Sequence, residues 1–197
     1  MIPGDLQYRL GMFDHSHRDY LIKAMNSLPQ GSKVLIVGSG AHGSHFNARA
    51  WNTVKLSASI LHIPEHNEGR SILVRDIELI FSDIDDWADA FPKEFKFVRA
   101  DCTDLSMFED DSIGMIICLG VFGIQFKTPA ATKKEGWLAA MTEFKRVTIR
   151  GGLCLFSVSE RHADCEEVMS LFIEHYRKAS YWEGEYDGPR HTYLFDF

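Results

Sequence analysis

Residues 33–43, KVLIVGSGAHG, join an apolar, β-branched run to the closely spaced glycines Gly38, Gly40 and Gly43. The run predicts a strand, and the glycines predict a tight turn that brings bare backbone close to a ligand or to a neighbouring element. A helix is expected to begin near Ser44, where its free N–H groups can face an anion or a polar ligand edge. Two interpretations stay open here: a ligand over the turn, or close packing of the strand against the helix.

Outward from this turn, short apolar runs alternate with amphipathic segments. The runs predict strands at 33–37, 78–81, 95–99, 115–119 and 153–158. Apolar residues recur at helical spacing in 20–28, 137–144 and 168–176. Runs that are apolar almost without interruption are typical of strands buried on both faces of a parallel sheet. The alternation predicts an α/β fold, a doubly wound and mostly parallel sheet with helices on both faces.

The end of the chain departs from this alternation. Two aromatic-rich runs, 180–186 and 191–197, have Asp187, Gly188 and Pro189 between them. So short a connection leaves no room for a crossover helix, so the two strands must be antiparallel neighbours. The predicted sheet therefore has seven strands and ends in a C-terminal antiparallel hairpin.

Length and composition predict one domain over 1–197. The chain has 197 residues, of which 45% are hydrophobic, enough for a single well-formed core. Residues 1–30 are expected to form an N-terminal helical segment that could act as a lid. Residues 51–75 exceed what one crossover helix needs, which indicates either an extended helix or a small insertion that shapes a pocket.

Charge and cysteine content narrow the partners and the compartment. The net charge of −7 without a basic cluster excludes binding to a nucleic-acid backbone. No apolar run is long enough to cross a membrane, and the first residues lack the apolar core of a secretory signal. Four cysteines, with no CxxC pair among them, are typical of the reducing cytoplasm. The oligomeric state stays open.

Carboxylates follow the second and third predicted strands. Asp83 lies in FSDIDDW after the second strand, and Asp101 lies in VRADCTDL after the third. Parallel strands end at one edge of the sheet, so both side chains are expected beside the glycine turn, where α/β sheets bind ligands. A carboxylate there can accept hydrogen bonds from a ribose diol or an amino group. Each aspartate alone could equally be a loop residue or a helix cap.

Taken in order over residues 33–197, these motifs resemble the class I, Rossmann-like, S-adenosylmethionine-dependent methyltransferases. The resemblance implies S-adenosylmethionine as cofactor, with its ribose held by Asp83, its adenine against Ile84, and its adenine amino group and ring edge at Asp101 and Cys102. It also implies cofactor contacts at the glycine turn and at the end of the fourth strand, from Gly38, Ser39, Gly40, Gly43 and Leu119.

The same resemblance places substrate contacts in the loop after the fourth strand, GVFGIQFKTPAATKKEG. Phe122 and Gln125 are predicted to contact a small-molecule acceptor, with packing under the loop the alternative for Phe122. Methyl transfer from a sulfonium needs little acid–base help, so no catalytic dyad is required. His15 is the candidate general base for a hydroxyl nucleophile. The histidine pairs near the turn lack further ligands, so no metal site is predicted.

Departures from the family pattern keep two other functions open. Ile36 stands where the family usually has an acid, His42 lengthens the glycine turn, and Gly114 replaces the acid common before the fourth strand. The missing acid at Ile36 and the altered glycine turn motivate the second hypothesis, a methyltransferase-like binding or regulatory domain without catalysis. An NAD(P)-dependent oxidoreductase rests on the GxGxxG spacing, but the acid expected about 20 residues further on would be Glu65, in a proline-containing segment.

Overall fold

The computed structural model describes residues 26–38, 77–86, 96–119, 121–122, 132–159, 164–185 and 189–197. The strands in these ranges are β1 (Ser32–Val37), β2 (Ile77–Asp83), β3 (Lys96–Arg99), β4 (Ile113–Leu119), β5 (Thr148–Ser159), β6 (Arg177–Glu185) and β7 (Pro189–Asp196). Two helices lie wholly within them, α1 (Lys133–Val147) and α2 (Cys165–His175). The predicted insertion at 51–75 and most of the N-terminal segment lie outside the described residues.

The strands form one seven-stranded sheet in the order β3-β2-β1-β4-β5-β7-β6. β1 to β5 pair in parallel, whereas β7 is antiparallel to both β5 and β6. The sequence suggested that Pro189 lies in the connection before β7, but in the structure Pro189 is the first residue of β7. Strand order reverses between β1 and β4, and this reversal marks the edge where open α/β sheets bind ligands.

Both faces of the central strands are buried. Leu35 and Cys118 belong to a core cluster that also contains Phe144 of α1 and Phe172 of α2. Residues whose side chains face the other side of the sheet are buried as well, including Val34, Phe81, Met115 and Leu155. The apolar runs predicted this burial on both faces. The two described helices therefore cover one face.

α1 runs antiparallel to β4. Its first turn is closed by a capping box in which Thr132 and Glu135 bond each other's backbone N–H groups. At its other end, the Val147 carbonyl accepts a 2.8 Å hydrogen bond from the Ser112 backbone N–H, just before β4 begins. The start of α1 therefore lies toward the carboxyl edge of the sheet, where Lys133 pairs with Asp164 at the N-cap of α2 at 2.8 Å.

The paired glycines before the fifth predicted strand form a bulge inside β5. Thr148 pairs with Ile113, but the next pair is Leu153 with Met115, so the chain between them bulges out of the ladder. Gly151 adopts φ +76° there. The bulge also bonds the end of β7, because Gly151 N–H donates to the Phe197 carbonyl at 2.7 Å. β5 consequently starts earlier than the apolar run indicates.

Candidate cofactor site

Four strand ends meet at the carboxyl edge of the sheet around the reversal point. Gly38 follows β1, Asp83 is the last residue of β2, and Val121 follows β4. Asp83 of β2 lies opposite Arg99 of β3. The Asp83 carbonyl accepts a 2.8 Å hydrogen bond from the Ala100 N–H. Asp101 comes next, so the two aspartates lie at neighbouring strand ends.

A local turn orients the Asp83 carboxylate. Its Oδ1 accepts a 3.1 Å hydrogen bond from the Asp85 backbone N–H, which is the geometry of an Asx turn. The carbonyl of the intervening Ile84 accepts a 3.1 Å bond from Arg99 Nε. The side chains of Asp83 and Ile84 are both half-buried. β2 therefore ends in a fixed carboxylate followed by a partly exposed apolar side chain.

A second turn orients the Asp101 carboxylate. Its Oδ1 accepts bonds from both the backbone N–H and the hydroxyl of Thr103, each at 2.9 Å. The Asp101 carbonyl accepts a further 2.9 Å bond from the Asp104 N–H. These three bonds fix the backbone and one carboxylate oxygen, so this side chain is held in place without help from a ligand.

Cys102 provides a neutral, buried surface next to these carboxylates. Its side chain is 8% exposed, and burial raises the pKa of the thiol to about 12, with smaller upward contributions from the charges of Asp101 and Asp83. At neutral pH it is therefore a small apolar group and not a thiolate nucleophile. That both charges act on one thiol is consistent with their lying at the same edge of the sheet.

The bare backbone at Gly38 is explained by packing within the protein. Gly38 has φ +63°, a left-handed conformation that strains other residues. A Cβ atom at this position would lie 2.4 Å from Cγ2 of Val121. The Val121 side chain, in the segment after β4, thus occupies the space that the absent Cβ leaves. Ser39, Gly40 and Gly43 lie outside the described part of the chain.

Phe122, one of the two predicted substrate contacts, lies in the hydrophobic core. Its side chain is 0% exposed and its ring makes edge contacts with Phe144, Phe156 and Phe172, at centroid distances of 6.2, 5.3 and 5.5 Å. The ring is part of the core between the sheet and the two helices, so the packing alternative describes it. Leu119 ends β4 as expected. Gln125 and His15 fall in segments that the structure does not describe.

The sequence reasoning missed Glu143 and Arg146, near the end of α1. The Arg146 guanidinium donates 2.8 Å bonds to both Glu143 carboxylate oxygens and also contacts the segment between β3 and β4. The hydrogen bonds from Arg146 are the main cause of a lowered pKa of the Glu143 carboxyl, and the hydrogen bond from the Leu105 backbone N–H lowers this pKa further. The Glu–Arg spacing at a helix end is the only sequence signal for the pair, because the loop partners are more than 35 positions away.

Two other features are absent from the described ranges. No group of three or more His, Cys, Asp or Glu side chains there could hold a metal ion. No helix in the same ranges is long and apolar enough to cross a membrane.

The fold is that of the class I S-adenosylmethionine-dependent methyltransferases. No protein-family model and no curated protein matches the sequence, but solved structures do. A SAM-dependent methyltransferase from Aquifex aeolicus superposes with a TM-score of 0.59 at 14% identity, over 100% of both chains.

Two further similar structures carry bound ligands. The N-methyltransferase NodS from Bradyrhizobium japonicum, in complex with S-adenosylhomocysteine, has a TM-score of 0.57 at 16% identity over 95% of this chain and 90% of that one. A Burkholderia thailandensis 1,6-didemethyltoxoflavin-N1-methyltransferase has a TM-score of 0.57 at 10% identity over 94% of this chain and 78% of that one. At such identities the likeness shows the fold alone.

Proposed function

We propose that this protein binds S-adenosylmethionine at the carboxyl edge of its sheet and transfers the methyl group to a small-molecule acceptor. The observation that carries the proposal is the pair of carboxylates at neighbouring strand ends, each oriented by its own local turn. A cytoplasmic site of action belongs to the proposal and is supported by the free, buried thiols of Cys102, Cys118 and Cys154.

The residues present fit the nucleoside end of the cofactor. Strand spacing of about 4.8 Å and a two-residue offset would put the Cα atoms of Asp83 and Asp101 about 8 Å apart in ideal strand geometry, on the scale of one nucleoside. The two oxygens of Asp83 suit a vicinal diol, and Asp101 suits an amino donor. The half-buried Ile84, which follows Asp83, offers apolar surface for a base, and the neutral Cys102 lies buried next to Asp101 in the chain.

The proposed methyl transfer requires little acid–base catalysis from this chain. The cofactor supplies an activated methyl group when it is bound, and the protein's contribution is to bind, orient and exclude water. Cys102 stays protonated, so it is not a nucleophile that could compete with the acceptor. A small acceptor is supported by the net charge of −7, which opposes nucleic acid, and by the small molecule 1,6-didemethyltoxoflavin bound in one of the similar structures.

Two observations favour a second candidate, a binding domain of the same fold without catalysis. Val121 lies where a side chain at position 38 would be, and Ile36, where the family usually has an acid, is buried with 4% exposure. Both features reduce what the end of β1 offers to the polar amino-acid part of the cofactor. This candidate predicts that adenosyl compounds do not bind at high micromolar concentration.

Calorimetric titration with S-adenosylhomocysteine separates these candidates. We expect saturable binding by the natural protein and at least about tenfold weaker binding by Asp83→Ala, because a hydrogen bond to a charged group contributes about 1.5 to 3 kcal/mol. Glu78→Gln is the matched control: it removes a carboxylate from the same strand, where Glu78 pairs with Lys96 at 3.0 Å away from the carboxyl edge.

The outcomes are distinct. If Asp83→Ala binds as tightly as the natural protein, the assignment of the ribose site is wrong. If the natural protein itself does not bind S-adenosylhomocysteine, the catalytic proposal fails and the binding domain without catalysis replaces it.

A further inference from the structure

We propose that Glu143 and Arg146 are positioning residues that hold the segment after β3, and that through Asp101 they set a preference for a base bearing an exocyclic amino group. This inference rests on the proposed function, because it assigns a role to residues outside the cofactor contacts of that same site. Glu143 and Arg146 lie on α1, and Asp101 precedes the segment that they contact.

Arg146 holds this segment at several points. One terminal nitrogen donates to the Leu105 carbonyl at 3.0 Å, and the other donates to the Phe108 carbonyl at 3.0 Å and to Asp110 Oδ1 at 2.6 Å. The two 2.8 Å bonds to Glu143 fix the plane of the guanidinium. Lysine cannot reproduce this planar, multiply bonded arrangement, because its ammonium is a point charge on a flexible stem.

Glu143 completes the attachment at the same loop residue. Its Oε2 accepts a 2.7 Å bond from the Leu105 backbone N–H, while Arg146 bonds the Leu105 carbonyl. Both polar backbone groups of Leu105 are therefore bonded by side chains of α1. The Leu105 side chain is fully buried in the core cluster, so its position is fixed from the apolar side as well.

A short hydrogen-bonded turn connects Leu105 to Asp101. Asp104, the neighbour of Leu105, donates its backbone N–H to the Asp101 carbonyl, and the two residues form an isolated β-bridge. Thr103, inside the same turn, donates both bonds to the Asp101 carboxylate. Displacing Leu105 therefore moves the turn that orients this carboxylate.

The ion pair between Arg146 and Glu143 is partly shielded from solvent. The side chains of Arg146 and Glu143 are only 28% and 18% exposed, so solvent weakens their pairing less than it weakens a surface pair. The Lys134–Glu167 pair, which joins α1 to α2 at 3.0 Å, is more than half exposed at Lys134. Lys134 therefore offers a matched control that removes an ion pair from α1 without touching the segment after β3.

The test compares the affinities for S-adenosylhomocysteine and for its deaminated analogue, S-inosylhomocysteine. An oxygen replaces the amino group in the analogue, so the donor that Asp101 would accept is lost. We expect the natural protein and Lys134→Met to prefer the adenosyl compound about tenfold. Arg146→Lys and Glu143→Gln should reduce that ratio to within about twofold of unity. Equal weakening of both ligands, or no change in the ratio, would overturn the inference, since general loss of stability leaves the ratio unchanged.

A measurement without ligand tests the structural half separately. Amide hydrogen exchange at Thr103 and Leu105 should be at least about tenfold faster in Arg146→Lys than in the natural protein, with the amides of β4 unchanged. Unchanged exchange at both positions would refute the attachment. If the natural protein binds neither compound, the proposed function fails and the preference for an amino group falls with it, while the exchange rates still decide whether Arg146 holds the segment.

Discussion

Replacing Gly38 by alanine tests why the first strand ends in a glycine. Two costs are expected. The left-handed conformation at φ +63° costs a non-glycine residue about 1 to 2 kcal/mol. The new methyl group would meet Val121 Cγ2 at 2.4 Å, and relieving such overpacking costs about 1 to 3 kcal/mol more. We therefore expect Gly38→Ala to lower the free energy of unfolding by roughly 2 to 5 kcal/mol.

Gly31 separates the two costs. It has a similar φ of +75°, but a Cβ built there meets nothing within 4 Å. Gly31→Ala should therefore show the conformational cost alone, about 1 to 2 kcal/mol. Urea unfolding of both variants, followed by circular dichroism, gives the difference directly.

A double-mutant cycle with Val121→Ala completes the test. Removing the Val121 methyl groups should make Gly38→Ala about 1 to 3 kcal/mol less destabilising than it is in the natural background. Steric packing of Val121 against position 38 is refuted if Gly38→Ala lowers the free energy of unfolding no more than Gly31→Ala and shows no coupling to Val121. A variant of normal stability that had lost adenosyl binding would instead show that the bare backbone faces a ligand.

Three further predictions concern the core. The pKa of Cys102 is raised from 9.0 to about 12, so the unfolded chain loses this proton first and the free energy of unfolding should fall as pH rises from about 9 toward 12, less steeply in Cys102→Ala. Tyr176→Phe removes a buried hydroxyl that donates to the Met141 carbonyl and should cost about 1 kcal/mol in thermal unfolding. Phe122→Leu should cost roughly 1 to 3 kcal/mol in urea, whereas a surface contact would leave stability unchanged.

The strands could be predicted because their signal is local. β1 and β4 are short, almost wholly apolar runs, and burial on both faces requires that pattern at every residue. The antiparallel pairing of β6 and β7 follows from the length of their connection alone, since so few residues cannot form the crossover that a parallel pair needs. The placement of Asp83 and Asp101 at one edge then follows from parallel pairing.

The details of the site could not be predicted because they depend on contacts between distant residues. The contact of Val121 with Gly38 exists only once β4 lies beside β1. The burial of Phe122 depends on three rings from α1, β5 and α2. Arg146 reads as an ordinary basic residue in the last turn of a helix, and its role emerges only with the carbonyls that it meets.

The central claim is that the carboxyl edge of this sheet binds an adenosyl cofactor. It is tested most directly by thermal unfolding of the purified protein with S-adenosylmethionine, S-adenosylhomocysteine and NAD, side by side. A ligand at about 100 times its dissociation constant adds about 2.7 kcal/mol to the free energy of unfolding, which is a readily measured shift. We expect stabilisation by the two adenosyl compounds and not by NAD. Stabilisation by NAD alone, or by none of the three, would contradict it.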